Sequence, residues 1–285
     1  MPIRIYKKTT AGRRNASVNM HVEVTKFKPE GSLLSPRPKN GGRNNTGIVV
    51  SRGRGGGVKK QYRMIDFKRR DRDGIEATVT AIEYDPNRGA HIALLTYKDG
   101  VKRYIIAPLN IKVGQTVLSG SDGPLEPSIG NCMKLRYIPT GLDVHCVELL
   151  PGQGAKLCRG AGNYAKLSNR EDDYATLILP SGEVRRVHLD CRATIGQVGN
   201  GDHRLRMLGK AGKMRLLGRR PITRGVAKSH HAHPLGGGSG RSKGNRPPVG
   251  PTGVGAKGGN TRNPRKASAR LIIRRRTSTR YGQKK

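Results

Sequence analysis

The chain has 285 residues, room for one to three domains, and carries 56 Lys+Arg against 19 Asp+Glu, a formal net charge of +37. A free globular protein with that charge would repel itself, so the composition calls for a polyanionic partner. No apolar run approaches the roughly 20 residues needed to span a bilayer. No stretch has the broad apolar face of a membrane-surface helix, and the start, Met1-Pro2-Ile3-Arg4-Ile5-Tyr6-Lys7-Lys8, lacks the apolar segment of a secretory signal. Nucleic acid is the better partner.

The charge is unevenly placed. Residues 1–60 hold 14 basic and 2 acidic side chains, and residues 61–203 hold 19 and 17. From His203 onward there are 23 basic residues and no Asp or Glu. A near-neutral centre therefore lies between two basic extensions, 1–60 and 204–285.

In the first extension, Gly41-Gly42-Arg43-Asn44-Asn45 and Arg52-Gly53-Arg54-Gly55-Gly56-Gly57 mix glycine with cations and amides. Glycine lets backbone N–H groups approach phosphate, and Arg adds bidentate contacts. A flexible solvated linker is the alternative for either segment. Neither is a nucleotide-binding loop, because no G-x-x-x-x-G-K-[ST] occurs in the chain.

The centre predicts short strands. Ile75, Ala77, Val79 and Ala81 alternate with Glu76, Thr78 and Thr80, the period of a half-buried strand. Residues 90–97 and 101–107 are β-rich runs joined across Lys98-Asp99-Gly100, a hairpin signal. A second series covers 133–138, 144–150, 164–167, 174–179 and 183–189, with its clearest turn at Pro180-Ser181-Gly182. Many short strands punctuated by Gly and Pro indicate small closed barrels. The break falls in the Gly/Ser/Pro/Asp stretch 120–131, which places one barrel at 61–125 and another at 126–203. Between two strand candidates, Asp85-Pro86-Asn87-Arg88-Gly89 is a turn from which Arg88 can project.

Four cysteines, Cys132, Cys146, Cys158 and Cys191, form no C-x-x-C pair and fit no common zinc spacing. We expect reduced, mostly buried thiols, no disulfide and no metal. The last extension contains Gly236-Gly237-Gly238, Pro247-Pro248 and Gly258-Gly259, and its longest apolar stretch is Leu271-Ile272-Ile273. It is expected to order only against a partner, apart from a short helix over 205–217 weakened by Gly209 and Gly212. His230-His231-Ala232-His233 lies in a segment without a carboxylate, which disfavours metal ligation and a positioned general base and favours RNA contact. Aromatic residues are 4% of the chain with no Trp, which points to recognition of folded RNA by shape and phosphate rather than to a stacking platform for single strands.

The ordered set Gly-Gly-Arg-Asn-Asn (41–45), Tyr62-Arg63-Met64-Ile65-Asp66-Phe67-Lys68-Arg69, Glu83-Tyr84-Asp85-Pro86-Asn87-Arg88, Tyr97-Lys98-Asp99-Gly100, Asp190-Cys191-Arg192-Ala193-Thr194-Ile195-Gly196, Leu208-Gly209-Lys210-Ala211-Gly212 and His233-Pro234-x-Gly236-Gly237-Gly238 closely resembles the bacterial ribosomal protein two family of the large subunit, almost end to end. The resemblance implies an all-β chain: an oligonucleotide-binding barrel, then an SH3-like barrel, with long basic irregular extensions that penetrate ribosomal RNA. It implies a structural constituent of the large subunit, not an enzyme. It implies no cofactor, no metal and no membrane. Its partners would be large-subunit rRNA, neighbouring ribosomal proteins and the small subunit through an intersubunit bridge, in a bacterial cytoplasm. Support of the peptidyl-transferase region and placement of tRNA come with it. The match begins so near Met1 that no transit peptide is expected.

The residues expected to contact RNA follow from these readings together. In the first extension they are Arg43, Asn44, Asn45, Arg52 and Arg54. In the first barrel they are Lys68, Arg69, Arg70 and, by the family's Asp-Pro-Asn-Arg turn, Arg88. The family's second-barrel Arg falls on Arg159, within Cys158-Arg159-Gly160-Ala161-Gly162. In the last extension they are Lys210, Arg219, Arg220 and Arg224, then His233, Gly236, Gly237, Gly238 and Arg241. Three successive glycines are expected to let the backbone pass a narrow RNA channel. The chain departs from the family where Asp-His-Pro-His-Gly-Gly-Gly reads Ala232-His233-Pro234-Leu235-Gly236-Gly237-Gly238, which weakens a tuned acid–base role for His233. The Trp residues often seen in the family's basic tail are missing too. Two rival classes remain: a DNA architectural protein explains the charge but not the near-neutral centre, and an enzyme centred on His233 lacks nearby acids.

Overall fold

A computed structural model describes residues 2–120, 122–239, 247–256 and 262–276. The chain divides into two units. Of the described residues, the first unit comprises those within 2–37, 59–210 and 270–276, and the second comprises Pro38–Val58 with 211–239, 247–256 and 262–269.

In the first unit, β1 (Ile3–Ile5) pairs with β2 (Ser17–Asn19), and β3 (Leu34–Ser35) with β4 (Tyr62–Arg63). The next four strands, β5 (Ala77–Glu83), β6 (Ile92–Tyr97), β7 (Lys102–Ile106) and β8 (Thr116–Val117), form an antiparallel sheet in the order β7-β6-β5-β8. Gly100 makes the β6–β7 turn, with a φ of 81° that only glycine adopts at little cost, and Tyr97 N–H closes it on Val101 O at 3.0 Å.

The β5 register slips between Val79 and Ala81. A bulge puts one extra residue in the strand and exchanges the faces beyond it. Ala77, Val79 and Ile82 therefore share one core, whereas Ala81 packs with Ile92, Leu94 and Tyr104 in another. The strict alternation expected through Ala81 stops at Thr80.

The second sheet is built from β9 (Cys132–Lys134), β10 (Asp143–His145), β13 (Ala165–Glu171), β14 (Tyr174–Ile178), β15 (Val184–His188) and β16 (Arg192–Ile195). Between its strands, β11 (Val147–Glu148) pairs with β12 (Ala155–Leu157). Cys146, with φ of 50°, ends β10, so the apolar run 144–150 divides into two strands. The sheet encloses Met133, Leu135, Ile138, Val144, Leu167 and Leu177 among others, all fully buried. The cysteines are unpaired, and burial pushes the Cys146 and Cys191 thiols up to about 12 and that of Cys158 up to about 11.

The ends are less free than composition alone suggests. Tyr104 Oη donates to the buried Glu83 Oε2 at 2.6 Å and accepts Glu30 N–H at 2.8 Å, while Thr25 N–H reaches Ile82 O at 2.9 Å. These bonds tie residues 25–30 of the basic extension to β5 and β7. At the other end β17 (Ile272–Arg274) adds to β15, with Arg186 N–H on Leu271 O at 2.7 Å. An unpaired sheet edge offers backbone partners that a three-residue apolar segment can use without RNA. The helix expected over 205–217 is shorter: Gly201–Leu205 is a 3₁₀ turn and α-helix spans only Ala211–Leu216. Gly209, at φ of 75°, interrupts it.

Charged side chains join the two sheets. Arg192, 6% exposed, donates to both carboxylate oxygens of Asp73 and, at 2.7 Å, to Arg69 O. Arg69, also 6% exposed, donates to Gly130 O at 2.6 Å and Leu118 O at 3.3 Å. Glu148 accepts the N–H groups of Gly152, Gly154 and Arg192. Arg192→Ala removes the paired hydrogen bonds to the part-exposed Asp73 carboxylate and the bond to the Arg69 carbonyl, so urea unfolding of the full chain should show a loss of about 1.5–3 kcal/mol. A change below about 1 kcal/mol would place the strength of the junction elsewhere.

His145 supplies a pH dependence. Its ring is 1% exposed, its Nδ1–H donates to Gly196 O at 2.8 Å, and burial pulls its pKa down from 6.5 to about 4. The unfolded chain therefore takes up a proton as pH falls below 6.5 while the folded chain resists until about 4. Stability contributed here is complete above 6.5 and falls across that window by about 3 kcal/mol. His145→Gln, measured by urea midpoints from pH 7 to pH 4, should flatten the profile by that amount relative to the parent chain. An identical profile in both would refute the assignment.

Candidate nucleic-acid interface

On the first unit, two arginines meet one aromatic ring. Asp85, fully buried in the β5–β6 connection, accepts Asn87 N–H at 2.8 Å and Arg88 Nε–H at 2.6 Å, which fixes the turn and aims the Arg88 guanidinium. Arg88 Cζ lies 5.7 Å from the Phe67 ring centroid, and Arg159 Cζ, reaching from beyond β12, lies 4.8 Å from the same centroid. Arg159 is exposed. Lys68 and Arg70, beside Phe67 in sequence, are exposed as well. Their neighbour Arg69 is turned inward onto Gly130 and Leu118, so this expected contact serves the barrel junction instead. Its φ of 47° is part of the reason, since the left-handed turn at Asp66–Arg69 reverses the side-chain direction. Lys210 is exposed at the end of this unit.

On the second unit, the Gly-rich segment is paired with its own chain. Gly55 N–H donates to Gly218 O at 3.1 Å, Val58 N–H to Leu216 O at 3.1 Å, and Arg220 N–H to Gly53 O at 2.9 Å. A Cβ at position 57 would lie 2.7 Å from Gly218 N and 2.8 Å from Leu216 O, so the glycine permits close approach of backbone to backbone. The ribbon leaves Arg52, Arg54, Arg219 and Arg220 exposed, with Arg224 exposed beyond it. Neither of the sequence stretches 38–58 and 211–269 contains an Asp or Glu.

The Gly-Gly-Arg-Asn-Asn segment is a small loop. Asn44 Oδ1 accepts Thr46 N–H at 3.1 Å, Thr46 Oγ1–H at 2.7 Å and Ile48 N–H at 2.9 Å, so its carbonyl is occupied within the loop. Arg43 and Asn45 are exposed.

The histidine segment is arranged by its glycines. The His230 and His231 rings lie with centroids 3.9 Å apart, tilted at 41°, whereas His233 is buried and its Nδ1 accepts Leu235 N–H at 3.1 Å. The His233 ring lies against Gly225, where a Cβ would come 2.4 Å from Cε1. A Cβ on Gly236 would come 2.3 Å from Ser229 O, and Gly237 and Gly238 have φ of 82° and 107°. The glycines thus permit close approach within this segment, and His233 is buried against Gly225. Arg241 lies outside the described residues.

Sequence reasoning missed Phe67 as the meeting point of Arg88 and Arg159. Its only signal was rarity, as one of two phenylalanines, set beside Lys68. Gly236→Ala should open the 228–237 turn, read as faster amide exchange at Gly237, whose N–H bonds Lys228 O at 2.9 Å. Parent-like protection there would show that the turn has room.

Two family models match the chain: the RNA-binding N-terminal domain of ribosomal proteins L2 over residues 30–119 and their C-terminal domain over 128–253. The Large ribosomal subunit protein uL2 of Rhodopirellula baltica is 57% identical over 286 residues, covering 100% of this chain and 99% of its own. With both domains matched in order and a relative 57% identical along its whole length, the chain belongs to the ribosomal protein L2 family.

Proposed function

We propose that this chain is a structural constituent of the large ribosomal subunit that binds rRNA through its barrels and its extensions and catalyses no reaction of its own. The observation that carries the reading is the placement of cations. Arg88 and Arg159 converge on Phe67, and the ribbon of Arg52, Arg54, Arg219 and Arg220 has no acidic neighbour in sequence. Guanidiniums held on a rigid support give bidentate phosphate contacts with little ordering cost. Lys68, Arg70 and Lys210 add exposed cations on the first unit, and Arg43, Asn45 and Arg224 add exposed cationic and amide groups on the second. His230 and His231, exposed and adjacent, add to the RNA contact of the His233–Gly238 segment.

The organisation we infer is a barrel over 61–125 and another over 126–203 as folding modules, with 1–60 and 204–285 as RNA-facing extensions. Neighbouring ribosomal proteins and the small subunit are the further partners in this reading, in a bacterial cytoplasm, with support of the peptidyl-transferase region and tRNA placement as the outcome.

Arg88→Ala or Arg159→Ala should each weaken binding to large-subunit rRNA by about 1.5–3 kcal/mol in filter-binding titrations. Lys at either position should restore only part of it, having no planar fork. In sucrose gradients after a high-salt wash, the parent chain should stay with large subunits, whereas a peripheral factor should be stripped. Loss of the parent chain from the particle, or unchanged affinity in both Ala variants, would overturn the assignment.

A further inference from the structure

Beside Phe67 lies an open cleft of about 430 Å³, a volume in the range of small-ligand sites. Its apolar lining is Leu33, Met64, Ile65, Phe67 and Ala155. Four cations, Lys68, Arg103, Lys156 and Arg159, also line it. Met64 is 43% exposed in a position where burial would be favourable, and Arg159 already lies over the Phe67 ring at 4.8 Å. Gln153, on the same wall, is exposed and offers both an amide donor and a carbonyl acceptor.

The cleft also holds two carboxylates. Asp66 Oδ1 accepts the N–H groups of Lys68 and Arg69 at 3.0 and 2.8 Å, so it is engaged in the turn. Asp71 is 67% exposed and 3.9 Å from Arg103, an exposed pair of the kind that contributes little and yields to a stronger anion.

An apolar lining with cations and one amide calls for a ligand with a flat apolar face, a polar edge and a negative charge at one end. A single nucleotide has this form. We propose that the cleft receives one unstacked nucleotide of the rRNA, its base against Met64 and the Phe67–Arg159 stack, its edge on Gln153 and its phosphate on Lys68 and Lys156. The inference rests on the rRNA-binding reading above and adds to it the class of RNA element: a bulged or looped-out residue rather than a continuous helix. Unpaired bases are the part of folded RNA that side chains can read, by stacking on aromatic rings or guanidinium planes. This also reconciles the low aromatic content of the chain with base recognition, since one ring suffices when the remainder of the contact is electrostatic.

The test uses the full chain with large-subunit rRNA. Met64→Ala and Gln153→Ala both change exposed side chains, so folding is left intact. Each should lower affinity by about fivefold or more with an unchanged slope of log K against log salt, because neither contacts phosphate. Lys156→Ala should instead reduce the slope by about one. Ultraviolet cross-linking of the parent complex should attach one nucleotide to the peptide carrying Met64 and Phe67. Parent-like affinity in both the Met64 and Gln153 variants, or no cross-link to that peptide, overturns the cleft while leaving rRNA binding in place. A parent chain that fails to bind rRNA removes the underlying reading as well. Adenosine monophosphate alone, titrated by NMR, should bind no tighter than millimolar; micromolar binding would mark a soluble-nucleotide site and overturn the proposal.

Discussion

The guanidinium of Arg192 is the contact on which the geometry of the first unit turns. It satisfies the Asp73 carboxylate and the Arg69 carbonyl together, and Arg69 in turn donates to carbonyls at Leu118 and Gly130. Buried charges are costly unless paired and hydrogen-bonded, so such a network tolerates few alternative arrangements. Glu148 extends it by accepting three backbone N–H groups, two of them in the segment leading to β12. One consequence lies some distance away. With these segments fixed, Arg88 from the β5–β6 connection and Arg159 from beyond β12 reach the same ring.

The second unit obeys a different constraint. It has little apolar material to bury and no acidic side chain in its sequence, so it relies on backbone hydrogen bonds at close approach. Gly57 and Gly236 allow that approach where a Cβ would collide with carbonyl oxygens. Glycine thus serves the chain's own pairing, and the arginines between the glycines are left facing outward. The uncompensated charge of such a ribbon is unfavourable in isolation and becomes favourable on a polyanion.

Polar burial is used sparingly in the cores. Glu83, with its pKa raised by burial, is held by Tyr104 and by Lys26 at 3.7 Å, and this small cluster docks part of the N-terminal extension on the sheet. His145 stays neutral at physiological pH for the same reason, its one donor engaged by Gly196 O. Such sites trade stability at low pH for a specific arrangement at neutrality.

Much of this was legible in the residues themselves. The charge partition marked the basic stretches but not their pairing: residues 2–37 group with the centre, whereas 38–58 group with 211–269. Period-two patterns and the turns at Lys98-Asp99-Gly100 and Pro180-Ser181-Gly182 located the hairpins, and Asp85-Pro86 placed Arg88 on a turn. These are local signals, set by backbone sterics within a few residues. Tertiary structure alone decided the bulge at Thr80, the inward direction of Arg69, the burial of His233 and the pairing of residues 53–58 with 216–220. Each depends on a partner outside its own local run: a carbonyl at Gly130 for Arg69, a glycine face eight positions back for His233, and a backbone more than 150 positions away for the ribbon. A side chain's direction is chosen by which buried acceptor it can satisfy, and that acceptor exists only once the chain has folded.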